Sequence, residues 1–216
     1  SAYPTAGIRI NTAPSAGVTI SRNRIYNIKT NGTGTSTSAP IAAGISIITS
    51  SNSLNIYNNQ INIGNGAGNE TIVYGIYDGG TGSNNYFYNT VAVEGTLSSG
   101  SNKSFCYFRN STTPVPSIRN NIFHNTRTGG TGGQFGIGTA STTNWTAAVS
   151  NYNYFTVPDL NNTCEWGTGT PNSLLQWRTN SGSDINSDVA AIPLPGFFTN
   201  QSTGDLSVVS AYHSSV

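Results

Sequence analysis

The chain has 216 residues, of which 35% are hydrophobic and 8% are charged, and its formal net charge is +1. A typical soluble domain carries about 25% charged residues. The scarcity of Lys and Arg excludes binding to nucleic acid through phosphate neutralisation, and the regularly spaced apolar runs exclude intrinsic disorder. The length suits one domain or one elongated module.

The composition also predicts a compartment. No apolar stretch of about 18 residues is present, so we expect no transmembrane segment. Asn, Ser, Thr and Gly take the place of Lys and Glu, which is typical of a secreted or cell-surface protein. The chain contains no Met and no signal-peptide pattern, so we expect a processed mature chain or an excised fragment. Cys106 and Cys164 could form one disulfide bond in an oxidising compartment.

Two sequence markers recur along the chain with a shared period. The first is a small residue followed by alternating apolar residues, and it begins at Gly7, Gly44, Gly75, Ser104 and Gly136. The second is Asn, any residue, then an apolar residue, and it begins at Asn23, Asn59, Asn89, Asn120 and Asn153. Both recur about every 31 residues after a longer first step, which one insertion over residues 31–38 explains. A fixed period of this length indicates a repeat architecture.

Each marker opens a short run of period-two alternation bounded by Gly, Asn and Ser, which is the pattern of a β-strand. No helical pattern separates these strands. We therefore predict an all-β fold, a right-handed, single-stranded parallel β-helix of about five to seven coils with about 31 residues per coil. We place the coils in residues 1–157. An irregular C-terminal coil or cap of the same domain follows in residues 158–216, with a short helix near residues 173–178.

Residues one coil apart stack, so side chains 31 positions apart should form ladders along the solenoid. An apolar internal ladder is predicted at Ile56, Phe87, Ile118 and Val149. A polar ladder is predicted at Asn58, Asn89, Asn120 and Asn151. Stacked Asn side chains can hydrogen-bond from coil to coil, and Asn tolerates a left-handed backbone at corners, so we interpret this ladder as structural.

One row of side chains suggests binding. Tyr57, Tyr88 and Arg119 are 31 residues apart and should share an outer face. Such a row could stack on sugar rings or on a protein partner. The alternative is an ordinary cross-strand ladder that stabilises the sheet.

The acidic residues do not stack in pairs within the coils. Lyases of this architecture hold Ca²⁺ with carboxylates on neighbouring coils, and hydrolases use two or three acidic side chains. Asp78 lies one period below Arg109, and we expect a surface ion pair there. The acidic residues from Asp159 onward lie in the irregular tail, outside this stacking test. We therefore predict no catalytic residues, no metal site and no cofactor.

The remaining candidate ligands have bland interpretations. His124 and His213 are far apart in sequence and do not fit a metal-binding spacing. Asp184 and Asp188 are interpreted as parts of a tight turn rather than a cation loop, because the Gly and Glu of an EF-hand do not follow at the required offsets.

The Gly-Ile coil starts and Asn-x-Ile runs resemble the pectate-lyase-like parallel β-helix repeats of secreted bacterial proteins. The segment LLQWRTNSGSDINS of residues 174–187, followed by Pro195-Gly196-Phe197 and Asp205-Leu206, is similar to the final coil of large Bacteroidetes-type surface proteins. That family usually carries Asp where this chain has Leu194. The resemblance covers nearly the whole chain. It implies the fold but not one function, since the fold hosts lyases, hydrolases, adhesins and surface-layer proteins.

A solenoid exposes an open sheet edge at each end unless something covers it. We therefore expect a non-enzymatic extracellular structural protein, such as a subunit of a surface filament, sheath or adhesin. Its expected partners are other copies of itself, arranged head to tail, and surface polysaccharide. The alternative is a glycan-binding module, or a polysaccharide lyase or hydrolase whose cleft the sequence does not reveal.

Overall fold

A computed structural model of the protein describes residues 5–12, 14–29, 42–65, 72–112, 116–145, 149–192 and 196–212. The chain is wound into a parallel β-solenoid of about five turns, with about 32 residues per turn and one short α-helix. The predicted solenoid fold is confirmed.

The strands, numbered in chain order, are β1 (Thr5–Ile10), β2 (Val18–Ser21), β3 (Arg24–Ile28), β4 (Ala42–Ile47), β5 (Leu54–Tyr57), β6 (Gln60–Ile63), β7 (Val73–Asp78), β8 (Asn85–Phe87), β9 (Thr90–Val93), β10 (Thr96–Leu97), β11 (Ser104–Arg109), β12 (Ser117–Arg119), β13 (Ile122–Asn125), β14 (Thr128–Gly129), β15 (Gln134–Thr139), β16 (Ser150–Asn151), β17 (Tyr154–Val157), β18 (Cys164–Trp166), β19 (Pro171–Asn172), β20 (Asp188–Ala191), β21 (Phe198–Asn200) and β22 (Asp205–Val208). The α-helix α1 spans Leu174–Ser181, and short 3-10 helices span Leu160–Asn162, Gln201–Thr203 and Ser210–Tyr212.

Three parallel sheets run along the solenoid. The first sheet contains β1, β4, β7, β11, β15 and β18, and β19 closes it in the antiparallel sense. The second sheet contains β2, β5, β8, β12 and β16, and the third contains β3, β6, β9, β13, β17 and β20. Their inward side chains form one core, in which Ile45, Ile56 and Ile61 are fully buried.

The length of a coil varies by a residue or two, and this shifts the apolar ladder. The inward column of the second sheet runs through Ile20, Ile56, Tyr86, Ile118 and Ser150. The predicted ladder is right at Ile56 and Ile118 but wrong at Phe87 and Val149, which each stand one residue from the column. A slip of one residue matters because it moves a side chain to the opposite face of a strand.

The polar ladder is also shifted by one residue in most coils. It runs through Asn23, Asn59, Asn89, Asn121 and Asn153. Each side-chain oxygen accepts hydrogen bonds from the backbone N–H and the side-chain amide of the ladder residue one coil earlier. Asn59 donates in this way to Asn89 Oδ1 at 3.2 and 2.9 Å, and Asn89 donates to Asn121 Oδ1 at 2.9 and 3.0 Å.

The other members of the predicted Asn ladder have different places. Asn58 and Asn120 immediately precede ladder residues and adopt left-handed backbone, with φ of +54° and +56°. Asn151 lies on the second sheet, and its side-chain oxygen accepts from the N–H groups of Tyr152 and Asn186. Of the four predicted residues, Asn89 alone belongs to the hydrogen-bonded ladder, although Asn58 and Asn120 do occupy corners.

The Gly marker at the coil starts reflects close packing between the first and third sheets. A Cβ at Gly44 would lie 2.2 Å from Ile61 Cγ2, and a Cβ at Gly75 would lie 2.2 Å from Val91 Cγ1. In the next coil the register places Cys106, rather than Ser104, opposite Gly75.

The helix α1 closes the C-terminal end of the solenoid. It begins with a capping box, in which Ser173 N–H donates to Gln176 Oε1 at 2.8 Å and Gln176 N–H donates to Ser173 Oγ at 3.3 Å. It ends at Gly182, which has a φ of +68°. Leu174 and Trp177 are buried against the core.

Asp184 joins this cap to the Asn ladder. Its carboxylate accepts hydrogen bonds from Trp177 Nε1 at 2.9 Å and from Asn153 Nδ2 at 3.1 Å. Ser187 Oγ accepts from Asn153 N–H at 2.8 Å. The Trp, Asp and Ser of the tail segment thus satisfy the last polar groups of the stack, which is a capping role.

The tail then folds back along the outer face of the third sheet. The hairpin of β21 and β22 places Phe197, Phe198 and Leu206 in a second apolar cluster against that face. Gln201 O accepts from Asn62 Nδ2 at 2.7 Å, and Asp205 lies 4.0 Å from Arg24. The end of the described chain therefore contacts the first and second coils.

Candidate functional site

The structure separates the row of side chains in which binding was predicted. Tyr57 and Arg119 lie in one outward column of the second sheet, but the residue between them is Phe87. Tyr88 follows Phe87 and lies at the corner after β8. The reason is again a coil of 30 residues, from Tyr57 to Phe87, where 31 was assumed.

The outer face of the first sheet carries a larger cluster of aromatic side chains. They come from equivalent positions of three successive strands, β7, β11 and β15, and they are Tyr74, Tyr77, Phe105, Phe108 and Phe135. The strands bend at Gly75 and Cys106, so positions three residues apart, rather than two, face outward together. We call these five residues the aromatic floor.

The rings of the aromatic floor stack along the solenoid axis. The ring centroids of Tyr74 and Phe105 are 5.5 Å apart with an interplanar angle of 8°, and those of Phe105 and Phe135 are 5.1 Å apart at 21°. Phe108 packs beside Phe105 with centroids 4.6 Å apart. Parallel β-stacking therefore produces a continuous apolar strip, in which each ring supports its neighbour.

An ion pair between Lys103 and Glu165 lies beside the aromatic floor. The Lys103 ammonium donates a hydrogen bond to Glu165 Oε2. The Glu165 side chain is only 3% exposed, whereas that of Lys103 is 32% exposed. Burial raises the pKa of Glu165, although the hydrogen bond and charge of Lys103 and the N–H of Gly169 act in the opposite direction. The Lys103 ammonium also lies 6.0 Å from the centroid of the Phe135 ring.

Two cavities adjoin at this ion pair. One has a volume of about 300 Å³ and is lined by Tyr74, Phe105, Phe108 and Asn110 among others. The second has a volume of about 420 Å³ and is lined by Phe135, Asn162 and Pro171 among others. Both share the lining residues Ser101, Lys103 and Glu165. We call the two together the groove.

The groove has the composition of a binding site more than that of a hydrolytic centre. Among its described lining residues, Glu165 is the one carboxylate, and glycoside hydrolysis ordinarily uses two. Within the described ranges no three His, Cys, Asp or Glu side chains gather as metal ligands. An apolar floor with a few convergent polar groups is the usual make-up of a ligand pocket.

Spacing arithmetic missed Glu165 because the last step of the first sheet is short. Glu165 pairs with Gly138, 27 residues earlier, so it belongs to the stack and not to an irregular tail. The aromatic pairs Tyr74/Tyr77 and Phe105/Phe108 do repeat with a 31-residue step, and this signal could have located the floor.

The expected surface ion pair of Asp78 and Arg109 lies inside the solenoid. The two residues are register neighbours, as predicted, but Asp78 is 3% exposed and Arg109 is fully buried. Asp78 accepts hydrogen bonds from Asn84 Nδ2 at 3.0 Å and from the Tyr107 hydroxyl at 3.1 Å. Burial raises the pKa of Asp78, and these hydrogen bonds partly oppose the rise. This inward position gives the pair a structural place in the core, away from the groove.

The remaining predicted side chains are also placed. Cys106 and Cys164 are buried free thiols, and the register puts them two coils apart, beyond the reach of a disulfide bond. His124 is buried beneath the tail hairpin, and His213 lies outside the described residues.

A search of protein-family models, curated proteins and solved structures finds no match to this chain. Among the described residues, the helices are too short or too polar to cross a lipid bilayer.

Proposed function

We propose that the protein is a non-enzymatic, extracellular binding module that holds a polysaccharide chain in the groove on its first sheet. The observation that carries the proposal is the aromatic floor next to the buried Lys103–Glu165 ion pair, with cavities on both sides of that pair. An elongated ligand could therefore pass the charged pair and contact apolar surface.

Sugars match both parts of the groove. The face of an aromatic ring carries negative charge density, which attracts the polarised C–H groups on the flat side of a pyranose ring. The carboxylate of Glu165 can accept, and the ammonium of Lys103 can donate, hydrogen bonds to sugar hydroxyl groups. The low overall charge favours a neutral polysaccharide over a strongly anionic one.

The test is a screen of the purified chain against soluble polysaccharides of different backbones by affinity electrophoresis. We expect at least one polysaccharide to retard the protein. Glu165→Gln should weaken this binding about tenfold, because a neutral amide loses the charge-assisted hydrogen bond to the ligand. Glu94→Gln is the matched control, since it makes the same change at a carboxylate away from the groove.

Two outcomes contradict the proposal. Either no polysaccharide retards the wild-type protein, or Glu165→Gln binds as tightly as the control. Thermal unfolding of both variants is measured alongside, so that a loss of binding through unfolding is recognised.

Self-association is a second candidate function, and the first coil favours it. Ile8, Ile10 and Val18 pack against the core but are only half-buried. At the opposite end α1 covers the stack. This favours association through the first coil over repeated head-to-tail stacking. The extracellular localisation and the relationship to pectate-lyase-like repeats stay predictions.

A further inference from the structure

The corner between the second and third sheets presents one outward residue per coil. These residues stand at equivalent places, because each donates its backbone N–H to the following coil or precedes a ladder Asn, and they are Arg22, Asn58, Tyr88, Asn120 and Tyr152. All five adopt left-handed backbone, with φ between 54° and 58°. In the last four coils Asn and Tyr alternate.

Tyrosine is poorly suited to this conformation. Left-handed backbone is uncommon outside Gly, and Asn adopts it far more readily than a bulky residue does. Asn58 and Asn120 show that the corner itself accepts Asn. Tyr88 and Tyr152 therefore stand where the local backbone favours another residue, and strained residues of this kind concentrate at functional sites.

Packing does not account for these two tyrosines. Tyr88 is 60% exposed and Tyr152 is 53% exposed, so neither ring fills the core. A cavity of about 410 Å³ lies next to Tyr152 and is lined by Asn120, Tyr154 and Asp188 among others. Aromatic surface, amide groups and a carboxylate thus meet along one ridge.

The spacing of the two tyrosines is set by the stack. They are two coils apart, which is roughly 10 Å along the axis, with Asn120 halfway between them. This is close to the length of two sugar rings in an extended, ribbon-like glycan of the cellulose or chitin type. In such a chain successive rings are turned over, so every second ring presents the same face.

From this match we infer that Tyr88 and Tyr152 form a second glycan-binding site, which takes every second ring of a ribbon-like polysaccharide. Each phenol ring stacks on one sugar ring, and the amide of Asn120 hydrogen-bonds to the ring between them. The site lies on another edge of the solenoid and goes beyond the proposed groove, and separate variants test the two.

The experiment measures binding of cello-oligosaccharides and chito-oligosaccharides, from disaccharide to hexasaccharide, by titration calorimetry. Malto-oligosaccharides, whose α-linked chains curl, are the matched probes of different shape. Wild type is compared with Tyr88→Asn/Tyr152→Asn and with Tyr88→Phe/Tyr152→Phe. The first variant installs the residue that the neighbouring coils already use, so it should fold at least as stably as wild type.

We expect affinity for one of the two ribbon-like series to rise steeply between the disaccharide and the tetrasaccharide, because only the longer chain reaches both rings. The Asn double variant should lose at least tenfold in affinity for the longer chains, with no fall in melting temperature, while the Phe double variant binds within about threefold of wild type. Which series binds identifies the sugar.

Three results overturn the inference. They are equal binding of malto-oligosaccharides, the absence of any dependence on chain length, and wild-type affinity in the Asn double variant. A protein that binds through the groove alone would show the third result together with a loss of affinity in Glu165→Gln, so failure of this site is distinguishable from failure of the groove.

Discussion

His124 shows how burial changes the chemistry of one side chain. Its ring lies on the outer face of the third sheet, stacked on Phe197 with centroids 5.3 Å apart and edge-on to Phe198 at 5.0 Å. Its Nδ1 shares a hydrogen bond with Thr156 Oγ1. Burial lowers the pKa of His124 to about 4, because a charged imidazolium would lose its water in this apolar setting.

This pKa predicts a loss of stability in mild acid. In the unfolded chain the His124 pKa is about 6.5, so between about pH 6.5 and pH 4 the unfolded state binds a proton that the folded state does not. The free energy of unfolding should therefore fall across this window, by an amount on the order of 3 kcal/mol, and level off below it for this group. Urea unfolding at several pH values measures the fall.

His124→Gln is the control for this effect. Gln can keep the hydrogen bond to Thr156 but does not titrate, so the difference in stability between wild type and variant should change across the window. Parallel pH curves for the two proteins would show that His124 is not the group responsible. The comparison also removes Asp78 and Glu165, whose raised pKa values act with the opposite sign.

At the residue scale, the sequence predicted which residue types stack better than which individual residues do. Asn ladders and left-handed corners follow from the chemistry of Asn, and Asn89 was placed correctly. Choosing between Asn120 and Asn121 needed the length of each coil to within one residue. The coil length depends on turns such as that at Gly95, whose φ is +103°, and the repeat pattern does not encode them.

Among the structural elements, the Asn ladder is the one whose members depend most on one another. Asn121 is 1% exposed and donates to Asn153 Oδ1 at 3.0 Å and to Tyr86 O at 2.9 Å, and it accepts from Asn89. Asn121→Ala leaves several of these buried groups unpaired. We expect a loss of about 2–4 kcal/mol in the free energy of unfolding, measured by urea titration.

Asn120→Ala is the neighbouring control. Asn120 is exposed, so this change removes only its ability to tolerate left-handed backbone, at a cost of about 1 kcal/mol. Equal losses in the two variants would mean that corner conformation, and not the hydrogen-bonded ladder, stabilises the coils.

The first sheet shows why the fold was easier to predict than the groove. Period-two alternation revealed strands, and their return at a fixed period revealed the solenoid. The same alternation would place Tyr74 and Tyr77 on opposite faces, and only the bend at Gly75 turns both outward. Glu165 entered the groove through a shortened coil, and Lys103 reaches it from the end of a loop, so neither followed from the repeat.

At the scale of the whole molecule, the two ends of the stack differ. The helix α1 covers one end, whereas apolar side chains of the first coil are half-buried at the other. Two copies that associate through the same open surface form a closed, two-fold pair. We therefore expect sedimentation velocity of the purified chain over a concentration series to show monomer and, at most, dimer.

Open-ended fibres in the same samples, seen by negative-stain electron microscopy, would contradict this expectation. They would show that the capped end also binds a neighbour, and they would restore head-to-tail assembly as the main function. Ile8→Ser is the variant that should abolish dimers, because it makes the open surface more polar without touching the groove.

The returning tail changes how the solenoid should respond to force. In a simple stack each coil touches only its neighbours, so a pull on one end peels coils away singly. Here Gln201 is held by Asn62, which lies 139 residues earlier, and the hairpin packs over the coils between them. Tension applied along the axis is therefore shared between the stacked strands and this strap. The coils beneath it should give way together rather than in succession, as a bound sheaf fails only when its tie is cut.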